Sequence, residues 1–132
     1  MRVIADTNVL VRVLTRDHAQ QSKAAEAELA SAEVVALSIS ALCELVWVLS
    51  QGYKIPASEI AASIRRLIDS ANVVANRPAV EAGLAMLETG GDFADGVIAH
   101  EGRRLGADVF VSFDKKATRL IEQQGEAVRL LS

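Results

Sequence analysis

Arg2-Val3-Ile4-Ala5-Asp6-Thr7-Asn8-Val9-Leu10 is the stretch whose reading decides the fold. Residues 2–5 read as a short buried strand. The chain then turns at once, through one acid and two short polar residues, into an apolar helical stretch reaching Leu14. A strand that feeds a helix without a linker is the opening of a parallel α/β unit. The pattern returns at Val34-Val35-Ala36-Leu37, where Ser38 or Ser40 is placed to cap an apolar helix ending at Gln51-Gly52. It returns again at Val109-Phe110-Val111-Ser112, with Asp114 just beyond and a helix predicted from Lys115 to about Gln124.

Helices are also predicted over His18–Ala32, from Pro56 to about Ser70, from Pro78 to Glu88, and from Asp92 to near Gly106. Val73-Val74-Ala75 is a weaker strand, and Ala127-Val128-Arg129-Leu130 is the last. Strands alternating with helices predict an α/β fold: a mostly parallel central sheet of four to five strands with helices on both faces, a three-layer α/β/α arrangement. The 132 residues fit one domain, 1–132, with no repeat, linker or low-complexity tract. Hydrophobic residues make up 51% but aromatics only 4%, the composition of a sheet buried between helices.

No apolar stretch approaches the ~20 residues that a membrane span needs. The opening segment becomes acidic too soon for a signal peptide, and the single Cys43 sits in an apolar run. The expectation is a cytoplasmic protein with no membrane partner. Net charge is −3, which by itself speaks against a nucleic-acid partner. Setting aside Asp6, Glu44, Asp92, Asp95 and Asp114 as cation ligands leaves twelve acids against fourteen bases, a remainder of +2. Charge alone therefore decides nothing here.

Glu44 is the one charge in Ala41-Leu42-Cys43-Glu44-Leu45-Val46-Trp47-Val48-Leu49. A helix apolar on every face is predicted to be buried, which makes an unpaired carboxylate costly. No basic residue lies within a turn, so the partner is either a distant arginine or a cation. Asp6 and Asp114 follow strands; Asp92 and Asp95 open a helix. Each has an ordinary reading as a helix cap or a favourable first-turn charge. Together they predict a metal site at the carboxyl ends of the strands, where open α/β sheets bind ligands. The row Asp95, Ala99, Gly102, Gly106 is a small-residue stripe that lets another backbone or a ligand come close to that acid. Oxygen-only ligation selects Mg²⁺ or Mn²⁺, and the usual task of such a cluster is phosphoryl-oxygen chemistry. His18 and His100 lack a nucleophile pattern, and no Gly-rich phosphate loop is present.

These segments, and Val111-Ser112-Phe113-Asp114-Lys115, resemble the PIN-domain nucleases over essentially the whole chain, most closely the VapC toxins of bacterial toxin–antitoxin pairs. The resemblance implies a PIN-like fold with Asp6, Glu44 and Asp95 as core Mg²⁺ ligands, Asp114 completing the site and Asp92 auxiliary. Thr7 and Asn8 would flank the first acid, and Ser112 the last. The implied activity is Mg²⁺- or Mn²⁺-dependent endoribonuclease action. The implied partners are an RNA substrate, a second copy in a homodimer, and a VapB-like antitoxin protein. Gly96 departs from the family pattern, where a larger helix former is common. Arg12, Arg16, Lys115, Lys116 and Arg119 follow the acidic segments and are candidates to hold RNA phosphates. Trp47, Leu49, Tyr53 and Ile55 are candidates for a protein interface. Two rival readings share an acidic Mg²⁺ site: a housekeeping RNA-processing PIN nuclease, and a receiver-like domain in which one aspartate accepts a phosphoryl group.

Overall fold

The computed structural model describes residues 1–132 and contains five strands and seven α-helices. It divides into two compact units, Met1–Arg77 and Pro78–Ser132.

In the first unit, β1 (Arg2–Ile4), β2 (Val34–Leu37) and β3 (Val73–Ala75) form a parallel ladder in the order β1-β2-β3. The register pairs Ile4 with Ala36 and Leu37 with Ala75, and Ala5 N–H continues it onto the Ala36 carbonyl at 3.2 Å. Helices α1 (Thr7–Thr15), α2 (Ala19–Ser31), α3 (Ile39–Trp47) and α4 (Ala57–Ile68) connect and flank the strands. β2 is central, and its alternate residues Val35 and Leu37 are buried. β1 lies at the edge of this ladder and is not buried as expected: Ile4 is 85% exposed.

The same correction applies to the apolar run around Glu44. Leu42, Leu45, Val46 and Leu49 are buried at i, i+3, i+4 and i+7. Ser40, Glu44 and Trp47 lie on the exposed side. The helix is amphipathic in geometry although its sequence is apolar almost all round, since one stripe is enough to cover a sheet. Glu44 is therefore solvated, and the argument from buried-charge cost does not hold. Cys43 is half-buried rather than core. After Trp47 the helix widens into a π-type turn over Val48–Gly52.

The second unit contains α5 (Arg77–Glu88, entering from the end of the first unit), α6 (Phe93–Arg104), β4 (Val109–Ser112), α7 (Lys115–Gln123) and β5 (Ala127–Leu130). β4 and β5 pair in parallel, from Val109 with Ala127 to Ser112 with Leu130. Met86, Ala99, Leu120 and Ile121 form a buried cluster against which Phe110 and Val128 pack. Every strand pairing in the protein is parallel, as an α/β/α architecture requires. The ladders hold three strands and two.

The tight helix contacts are set by Gly83 and Gly96. A Cβ on Gly96 would stand 2.3 Å from the Ala82 carbonyl oxygen and 2.8 Å from Met86 Cγ. This explains the glycine where a stronger helix former is expected. α6 touches the backbone of α5 there. No backbone approaches the small-residue row at Gly102 or Gly106, where a Cβ would meet nothing within 4 Å.

Candidate active site

Parallel pairing puts the carboxyl ends of β1 and β2 side by side, so the helices that follow them start side by side. Asp6 caps α1, its Oδ1 accepting from Thr7 N–H at 2.8 Å. Ser38 caps α3, its Oγ accepting from Ala41 N–H at 3.1 Å. Thr7 is buried and its hydroxyl makes a long 3.5 Å contact with the Ala41 carbonyl, tying the two helix starts together. Between them lies a cleft of about 350 Å³ lined by Ile4, Ala5, Asp6, Thr7, Ser38, Ser40, Ala41 and Glu44. Asp6 and Glu44, far apart in the chain, share this cleft. Neither is neutralised by an arginine or lysine. Asn8 is exposed on the first turn of α1 and lines a neighbouring groove with Val9 and Arg12.

The second unit gathers three acids at the starts of two helices. Asp92 caps α6, accepting from Ala94 N–H at 3.1 Å. Asp114 caps α7, accepting from Ala117 N–H at 2.9 Å. Ser112 Oγ accepts from Asp114 N–H at 2.9 Å and so fixes the turn that presents the acid. The half-buried Asp95 stands in the first turn of α6. Its pKa lies above the ordinary aspartate value, first because burial disfavours the charge and then because Asp92 and Asp114 repel it. The capping readings hold, and each cap uses one oxygen of a carboxylate that has two.

The basic candidates fall into two groups. Arg12 is engaged internally, donating to Gln21 Oε1 at 2.6 Å and Asp17 Oδ1 at 3.1 Å. Tyr53 donates to Asp17 Oδ2 at 2.7 Å and Thr15 to its Oδ1 at 2.8 Å. The Tyr53 bond, then the Thr15 bond, hold the Asp17 carboxyl below the ordinary range. Arg16 pairs with Glu26 at 3.0 Å. Lys115, Lys116 and Arg119 are exposed on α7. Of the four interface candidates, Leu49 is core, Tyr53 and Ile55 are half-buried, and Trp47 alone projects, 64% exposed.

Ser40 is a lining residue that sequence reasoning treated only as a possible cap. Its spacing of four residues from Glu44 was the available signal. The Asp17–Tyr53 link had none, because the partners are distant in sequence and neither lies in a motif.

Within neither unit do three His, Cys, Asp or Glu side chains close into a ligand set. Mg²⁺ does not need one: it keeps several waters and is ordinarily held by one or two carboxylates together with substrate phosphate oxygens. Two uncompensated carboxylates lining one open cleft suit a hard divalent cation, since oxygen is the only donor type they offer.

The PIN domain family model matches residues 3–122, a span that includes every acid named above. The chain belongs to the PIN domain family, a family of metal-dependent nucleases. No curated protein matches the sequence. No helix is long and apolar enough to cross a membrane.

Proposed function

We propose that this PIN domain is a Mg²⁺- or Mn²⁺-dependent endoribonuclease acting as the toxin of a VapC-type toxin–antitoxin pair. In this reading it works in the cytoplasm as a homodimer and is silenced by a VapB-like protein. The observation that carries the chemistry is the pairing of Asp6 and Glu44, both uncompensated, across one cleft.

Asp6 and Glu44 in the first unit, and Asp95 and Asp114 in the second, are each proposed as metal ligands, with Asp92 auxiliary. A bound divalent ion supplies charge neutralisation at the phosphate and a lower pKa for an attacking water. The chain's own residues do the positioning. Thr7 N–H fixes one oxygen of Asp6, and the second oxygen is the one able to ligate a cation. The Thr7–Ala41 contact holds α1 against α3, and with it Asp6 relative to the helix of Glu44. Ser112 sets the turn of Asp114. Water adds to phosphorus, the P–O3′ bond breaks, and the products carry a 5′-phosphate and a 3′-hydroxyl. Lys115, Lys116 and Arg119 are free to meet backbone phosphates, whereas Arg12 and Arg16 are tied internally and would have to exchange partners.

Two experiments test this. Purified protein incubated with assorted RNAs should cleave them with Mn²⁺ or Mg²⁺ and stop in EDTA. Cleavage that persists in EDTA would remove the metal from the scheme. For the biological role, expression without a partner should arrest growth, and unimpaired growth would favour an RNA-processing nuclease with the same site.

A further inference from the structure

Trp47 is the only tryptophan of the chain and stands 64% exposed, although large aromatic side chains are ordinarily mostly buried. It lies one helical turn beyond Glu44, on the exposed row that Ser40 and Glu44 begin. Ser40 and Glu44 line the cleft, so this row leads out of the cleft onto Trp47. Side chains three apart on a helix have Cβ atoms roughly 5–6 Å apart. That is about the step from one nucleotide to the next. A strand whose phosphate is held through a cation at Asp6 and Glu44 can lay a neighbouring base against the indole.

We infer that Trp47 is a stacking platform for an unpaired base next to the scissile phosphate. The inference rests on the nuclease reading for what occupies the cleft. Stacking suits the surroundings: the indole offers a flat apolar face and no charge, and every base offers a π-surface. The platform is thus tolerant of sequence and selective for single strands, because a paired base keeps its face within the duplex. Trp47 is here a substrate-positioning residue and takes no part in bond breaking.

A single tryptophan makes the test direct. Titrating the protein in Mn²⁺ buffer with a short cleavage-resistant phosphorothioate oligoribonucleotide should quench its fluorescence to saturation, and an abasic strand of the same length should not. Trp47→Ala should raise KM roughly 5- to 150-fold, the range of base–aromatic stacking, with kcat little changed. Trp47→Phe should recover part of the loss. Absence of quenching, equal quenching by the abasic strand, or an unmoved KM in Trp47→Ala overturns the inference. Emission that shifts with protein concentration and ignores the oligonucleotide also overturns it, because a second copy then covers the indole. Base-dependent quenching without cleavage of any RNA would leave the platform standing and remove the nuclease reading.

Discussion

The acids of the first unit and those of the second reach helix starts by the same local rule but live in different surroundings. Asp6 and Glu44 face each other across a solvated cleft, one on a cap and one further along α3. Asp95 is half-buried, and burial first, then the charges of Asp92 and Asp114, raise its pKa. Open carboxylates wait for a cation at little cost to the fold. Crowded ones make the fold itself respond to a cation. The difference teaches that ligand strength and structural strain are separable in one protein, and each can be altered without the other.

The largest expected effect tests the open pair. Asp6→Ala or Glu44→Ala should cut RNA cleavage at least about a hundredfold, since metal assistance contributes several kcal/mol to the barrier. Melting temperature should barely move for Glu44→Ala, whose side chain is exposed. Asp6→Ala also loses the α1 cap, about 1 kcal/mol, whereas Asp6→Asn keeps a cap and serves as the folded control. A folded variant that still cleaves would end the assignment of that residue.

Next comes the scaffold of the crowded set. Gly96→Ala adds a methyl group where the Ala82 carbonyl oxygen already stands. It should destabilise by about 2 kcal/mol despite the gain in helix propensity, read by urea denaturation. Gly102→Ala lies on the same helix with nothing near it and should stabilise by up to ~1 kcal/mol. Equal signs for the two would show that propensity rather than the α5–α6 contact governs α6.

The smallest effect reads the crowding itself. Burial and like charges raise the folded-state pKa of Asp95 above its unfolded value, so ionising it costs stability. That cost is absent below the unfolded pKa and grows as pH rises through the folded one. Asp95→Asn should therefore raise the metal-free melting temperature at neutral pH by roughly 2 °C. The gain should vanish at acid pH and shrink when Mg²⁺ is added. A lower melting temperature for the variant would mean that Asp95 is paired rather than crowded.

Strand and helix positions were legible because period and capping are local properties. Asp6, Ser38, Asp92 and Asp114 all cap as their residue types prefer. Glu44 stood out as the one charge of an apolar run and was expected to be buried, but it is exposed, because an apolar sequence does not say which of its faces meets water. Gly96 looked like a lapse in helix propensity and is a close-packing position, invisible until α5 is placed beside α6.

The order of strands and helices, the acidic residues and the family of this chain were determined by its sequence alone, since periodicity, caps and motifs lie within a few residues of one another. Only the tertiary structure decided which carboxylates share a cleft, that Glu44 and Trp47 face solvent, that Arg12 is tied to Asp17, and that Asp95 is crowded. Burial and electrostatic environment are sums over neighbours distant in the chain, and no local pattern carries those sums.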